Sequence, residues 1–95
     1  MGSFSINPSK VRELSDMVTS GANNYNSKIA EVTARVNSLG TTWGGETYAN
    51  FKTSYENSLR TLEQSYQELM NVAKELEATA AEGESMINRI NSLMQ

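Results

Sequence analysis

Gly40-Thr41-Thr42-Trp43-Gly44-Gly45-Glu46 is the stretch that decides the fold, because it holds the only tryptophan and three of the six glycines of the chain. On each side lies a long segment almost free of glycine and proline, which are the residues that cost most inside a helix. Between residues 9 and 39 the only such residue is Gly21, and beyond residue 45 it is Gly83. The stretch therefore predicts a turn between two long helices.

The ends and faces of both segments support two helices. Asn7 is a good N-cap before Pro8, which suits the first helical position, and Ile6 and Val11 are spaced as a hydrophobic staple. A left-handed Gly40 would end the first helix. Each segment carries one apolar stripe with a period of about 3.5 residues, and neither shows the alternation of a strand. The first stripe consists of Val11, Leu14, Val18, Ala22, Tyr25, Ile29, Val32, Val36 and Leu39. The second consists of Tyr48, Phe51, Tyr55, Leu59, Leu62, Tyr66, Leu69, Ala73, Leu76, Ala80, Gly83, Ile87, Ile90 and Met94.

The predicted fold class is all-α, in a single domain that covers residues 1–95. It is an antiparallel hairpin of two helices, about 8–39 and about 46–93, joined by the turn 40–45. Arg12 and Asp16, at i,i+4 spacing, are predicted to pair on the surface of the first helix. The second helix is much longer than the first, so its end after Gly83 either frays or docks on another chain.

Large apolar residues are scarce, and this scarcity predicts a partner. Leu, Ile, Val and Phe together make 18 of 95 residues, too few to cover two long helices from all sides. We therefore expect the hairpin to dimerise into a four-helix bundle, with itself or with a similar chain. The predicted interface residues are Val18, Gly21, Tyr25, Ile29, Tyr55, Leu62, Leu69, Ile87 and Ile90.

Composition argues against several functions. The chain has no His and no Cys, so the commonest general base, a cysteine nucleophile and a thiolate metal site are all missing. We predict no catalytic residue, no cofactor and no metal, and we interpret the glutamates of residues 75–84 as a solvated run. A net charge of −3 argues against nucleic-acid binding, and the acidic second helix makes membrane binding unlikely. The first residues do not form a conventional signal peptide.

The length, the paired heptad helices and the central Trp43-Gly44-Gly45 turn resemble the WXG-type (ESAT-like) family of bacterial type VII secretion. The resemblance covers essentially all of residues 5–95. It implies helical hairpins that dimerise and leave the cytoplasm without a cleaved signal peptide, through a membrane machine driven by an ATPase. It also makes Trp43, Gly44 and Gly45 the candidate turn and export motif. The implied partners are a second copy or a paralogue, the secretion ATPase and a larger secreted effector.

The sequence departs from the family in one respect. Many members carry a C-terminal Tyr-x-x-x-Asp/Glu export motif, and here no tyrosine is followed by an acidic residue four positions later. This absence favours the homodimeric type found in Gram-positive bacteria. Two alternatives remain open, namely an intracellular coiled-coil adaptor and a helical partner or chaperone of a larger secreted effector.

Overall fold

The computed structural model describes residues 7–94, and helices account for most of them. Helix α1 spans Pro8–Leu39 and helix α2 spans Gly45–Leu93, with no strand anywhere between residues 7 and 94. The two helices pack against each other as a hairpin, which confirms the predicted fold class. Helix α2 begins one residue earlier than expected and continues without a break through Gly83.

Helix α1 begins at a side-chain cap. The Asn7 Oδ1 accepts hydrogen bonds from the backbone N–H groups of Ser9, at 3.1 Å, and Lys10, at 3.3 Å. The Asn7 carbonyl accepts a further bond from the N–H of Val11 at 3.1 Å. Free N–H groups at a helix start are therefore satisfied as the sequence predicts, with Pro8 at the first helical position. Ile6, the other half of the expected staple, lies outside the described residues.

Helix α1 ends by tightening its last turn, and the prediction of a left-handed Gly40 is wrong. The N–H groups of Gly40, Thr41 and Thr42 bond to carbonyls three residues earlier, at 3.1–3.2 Å. The Leu39 carbonyl also accepts the N–H of Trp43 at 2.7 Å. These bonds satisfy the last carbonyls of the helix, so no left-handed residue is needed there. The positive φ, +81°, belongs instead to Gly45 at the start of α2.

The chain divides into two compact units. The end unit comprises Met1–Ser20 and Leu69–Gln95, and the turn unit comprises Gly21–Glu68. The buried side chains of the end unit are all small, and a hydrogen bond from one of them joins the two helices. The Ser15 hydroxyl donates to the Ala73 carbonyl at 2.8 Å. The buried residues of this unit are Ser15, Ala73, Ala80 and Gly83.

Larger side chains fill the turn unit. Ile29 and Val36 are buried together with Ala22. Two tyrosines of α2 then tie the helices together through their hydroxyls. The Tyr48 hydroxyl donates to the Val36 carbonyl at 3.1 Å, and the Tyr55 hydroxyl lies 2.7 Å from the Thr33 Oγ1. Because Thr33 gives its own proton to the Ile29 carbonyl, Tyr55 is the donor in that pair.

The buried positions of α1 form a narrower line than the predicted stripe. They recur every seven residues at Ser15, Ala22, Ile29 and Val36. Leu14 and Val32, which the stripe placed inward, are 48% and 47% exposed. A single facing helix covers only one narrow arc of its neighbour, and a residue next in sequence to a buried one lies about 100° around the helix. Leu14 and other stripe members therefore remain open to a further partner.

Candidate functional site

The Trp43 side chain lies at the turn and packs on the first two turns of α2. Its ring centroid is 6.1 Å from that of Tyr48, edge to face, and 5.5 Å from that of Phe51, with the planes tilted by 38°. Trp43 and Phe51 are still 38% and 39% exposed. The indole therefore forms an aromatic cluster at the turn, and it also presents an accessible face.

Two glycines shape the backbone around this aromatic cluster for different reasons. A Cβ at Gly40 would lie 3.1 Å from the Tyr48 ring, so glycine there lets the tyrosine reach across to the Val36 carbonyl. Gly45 adopts the left-handed φ that other L-residues rarely take. A Cβ at Gly44 would meet no atom within 4 Å, and its φ is not positive. Of the three predicted motif residues, Gly45 is thus the one whose conformation requires glycine.

An open groove runs beside the turn along the last two turns of α1. Its lining combines apolar side chains with a guanidinium and two hydroxyl groups. It is lined by Val32, Arg35, Val36, Ser38, Leu39 and Thr42. Leu39 is 39% exposed and Arg35 pairs with Glu31 only at 3.8 Å. Together with Trp43, this groove gives the turn unit an apolar surface with a positive edge.

The predicted interface residues of the turn unit fall into different environments. Ile29 is buried within the hairpin, and Tyr55 is held by its hydroxyl bond to Thr33. Tyr25 and Leu62 are half-buried, whereas Gly21 is exposed and a Cβ there would meet no atom within 4 Å. Ile29 therefore already belongs to the hydrophobic core of the single chain.

The predicted interface residues of the end unit are more accessible. Val18 is half-buried, Leu69 is 38% exposed, and Ile87 and Ile90 are 41% and 48% exposed. Other large apolar side chains of this unit are also exposed, namely Leu14, Met17, Val72, Met86, Leu93 and Met94. Exposed apolar side chains that form a contiguous patch are typical of a protein that binds another.

Arg12 makes the shortest charged contacts of the described chain, and its partners differ from the predicted one. It was expected to pair with Asp16 on its own helix. Instead its Nε lies 2.9 Å from the Glu77 carboxylate and its Nη1 lies 2.7 Å from that of Glu84. The two glutamates are half exposed, which agrees with their interpretation as part of a solvated run, and they also pair with Arg12 of the other helix. Their spacing of seven residues, which puts them on one helix face, was the available signal.

The two carboxylates and the guanidinium affect one another's protonation. The hydrogen bond from Arg12 holds the pKa of Glu84 below its ordinary value, since it favours the charged carboxylate. The bonds to Glu84 and Glu77 raise the pKa of Arg12 above its ordinary value. All three side chains are partly exposed, at 35%, 50% and 49% for Arg12, Glu77 and Glu84, so solvent weakens the attraction between them.

Among residues 7–94 there is no group of three or more acidic, His or Cys side chains that could hold a metal ion. No helix within the described part of the chain is long and apolar enough to cross a membrane.

These features define a class of protein, a small helical hairpin whose turn carries a Trp-x-Gly motif. The model of the WXG100 family, described as proteins of 100 residues with WXG, matches residues 3–93. The chain belongs to this family, whose members are small proteins of type VII secretion. They are secreted helical proteins rather than enzymes, and they generally form homodimers or heterodimers with paralogues. No curated protein and no solved structure gives a significant match to the chain.

Proposed function

We propose that this protein is a substrate or co-secreted partner of a type VII secretion system and acts through helix–helix contacts, without catalysis. The observation that carries the proposal is the Trp43-Gly44-Gly45 turn between two long helices, in a chain that the family model matches over residues 3–93. The chain is cytoplasmic before export and extracellular afterwards.

The partner that the exposed surfaces fit best is a second copy of the chain, and a paralogue is the alternative. In the end unit the uncovered side chains include Leu69 and Ile90, and in the turn unit they include Val32 and Leu39. Burying large aliphatic side chains contributes about 1.5–3 kcal/mol each, which favours a complex over the isolated hairpin. The proposed assembly is a four-helix bundle.

The turn is the surface that we assign to export. Trp43 and Phe51 form an exposed aromatic pair, and the groove beside them adds the Leu39 side chain and the Arg35 guanidinium. Exposed aromatic and arginine side chains are the residues that most often dominate a binding interface. The secretion ATPase, or a larger effector exported with the chain, is the partner proposed for this surface.

A secretion assay tests the export proposal. The protein should appear in the culture medium of cells with the secretion ATPase and be lost from the medium when the ATPase gene is deleted. Trp43→Ala should reduce secretion at least tenfold while circular dichroism shows an unchanged helical content. Thr53→Ala is the control, because Thr53 is exposed on α2 and its hydroxyl bonds only to its own helix. Equal extracellular levels with and without the ATPase would contradict the export proposal, and absence from the medium of both strains would favour an intracellular adaptor.

Light scattering of the purified chain tests the assembly. We expect twice the monomer mass at micromolar concentration, and a shift to monomer when Ile90→Glu and Leu69→Glu are combined, since each places a charge on the exposed apolar surface. Glu68→Gln is the control, because it changes a neighbouring exposed position without adding charge to that surface. A stable monomer in the unmodified protein would contradict the homodimer, and a complex formed only with a paralogue would replace it.

A further inference from the structure

The end unit is closed by unusually small apolar contacts. Its buried residues are Ser15, Ala73, Ala80 and Gly83, and its larger apolar side chains are at most half-buried. The turn unit, in contrast, buries Ile29 and Val36 and adds four half-buried tyrosines. Stabilisation by apolar burial rises with the area removed from water, so these small side chains contribute little each. Polar contacts between the helices therefore contribute a larger share of the free energy that holds the two helices together in the end unit.

Arg12 provides two of these contacts from one side chain. Its Nε and Nη1 reach Glu77 at 2.9 Å and Glu84 at 2.7 Å, and the two glutamates lie two turns apart on the same face of α2. The guanidinium has several N–H groups in a fixed plane, so it can hold two carboxylates at once. The contact joins the first turns of α1 to α2 across 65 and 72 residues of sequence.

We propose that Arg12, Glu77 and Glu84 form a latch that keeps the end unit closed, and that loss of this latch opens the end unit while the turn unit stays folded. The hydrogen bond from the Ser15 hydroxyl to the Ala73 carbonyl also joins the two helices in this unit. Ser15 is near Arg12 in sequence, and Ala73 is near Glu77. Opening separates the first turns of α1 from the small-residue face of α2. The latch is a property of the chain itself and is independent of secretion.

Other charged groups at this face affect the latch. Asp16 of α1 and Lys74 of α2 line an open concavity together with Glu77. Lys74 and Asp16 thus contribute opposite charges to the concavity that Glu77 also lines. The partners of the latch are about half exposed, so salt and acid reach them directly.

Hydrogen exchange of the full chain, resolved by segment, tests the latch. In Arg12→Gln, backbone amides of residues 8–20 and 69–93 should exchange roughly three- to tenfold faster, while those of residues 21–68 keep their rates. Arg35→Gln is the matched control, since Arg35 is 81% exposed and approaches one carboxylate only at 3.8 Å. No change in Arg12→Gln, or equal acceleration in both units, would overturn the proposal.

Charge reversal provides a second test, because it restores the ion pairs with swapped charges as well as removing them. The Arg12→Glu variant should open the end unit more than Arg12→Gln, because three carboxylates then face one another. Adding Glu77→Arg and Glu84→Arg to that variant should restore slow exchange in residues 8–20. A triple variant that remains as open as Arg12→Glu would show that the charge pairing does not hold the unit closed.

Discussion

Gly45 and Gly40 stand five residues apart at the turn, yet different steric demands select glycine at each. At Gly45 the φ of +81° would strain any other L-residue, and at Gly40 a Cβ would lie 3.1 Å from the Tyr48 ring, which would then have to shift. A sequence pattern shows only that glycines cluster here, and the commonest rule for helix ends gives the left-handed conformation to the residue after the helix. That rule fails because Thr42 and Trp43 donate their N–H groups to Leu39 instead.

Gly45→Ala tests the role of the left-handed backbone. We expect it to lower the free energy of unfolding by about 1 kcal/mol, because a Cβ at positive φ is strained against the following carbonyl. Urea unfolding followed by circular dichroism measures the change. Gly44→Ala is the matched control, since its Cβ would meet open space at an ordinary φ. An equal effect of both substitutions would contradict the assignment of the strain to Gly45.

At the scale of the helices, local sequence signals were sufficient to predict where the helices lie. Contacts between residues distant in sequence, which decide what is buried, could not be predicted in the same way. The Asn7 cap, Pro8 and the near absence of breakers predicted both helices, because these signals act within one or two turns. The inward face was predicted only approximately, since a stripe of 3.5 period does not say how wide an arc one neighbour covers. Ser15 was missed because its burial depends on a carbonyl 58 residues away.

Gly21→Ala tests a position where the hairpin makes no use of glycine. A Cβ there would meet no atom within 4 Å, so alanine should stabilise α1 by roughly 0.5–1 kcal/mol through its higher helix propensity. Thermal unfolding at low protein concentration measures this gain. Because Gly21 is also a predicted interface residue, we expect the gain to reverse at high concentration, where alanine obstructs the second chain. A gain that is the same at both concentrations would remove Gly21 from the predicted interface.

For the whole molecule, the absence of His and Cys determines how stability responds to pH. No side chain has an ordinary pKa between about 5 and 8, so stability should be nearly constant across that range. At lower pH, Glu84 matters because its pKa in the folded chain is below its ordinary value of 4.5. Its contribution is complete above that value and is lost as the pH falls through the lower, folded-state pKa.

Urea midpoints measured from pH 7 to pH 3 test this dependence. We expect a plateau down to about pH 5 and a decline below about pH 4.5. The decline should be shallower in Arg12→Gln, because Glu84 then loses the hydrogen bond that lowers its pKa in the folded chain, and unchanged in Arg35→Gln. An equally steep decline in the Arg12 variant would contradict the linkage between Arg12 and Glu84.

Trp43 also gives the protein an intrinsic fluorescence probe. It is the only indole in the chain, and it sits within the turn unit against Tyr48 and Phe51, so its fluorescence reports on that unit alone. Far-ultraviolet circular dichroism, in contrast, averages over both helices. If the end unit opens first, the dichroism signal will fall while the emission maximum of Trp43 stays in place. The two signals recorded on one unmodified sample therefore separate local opening from global unfolding.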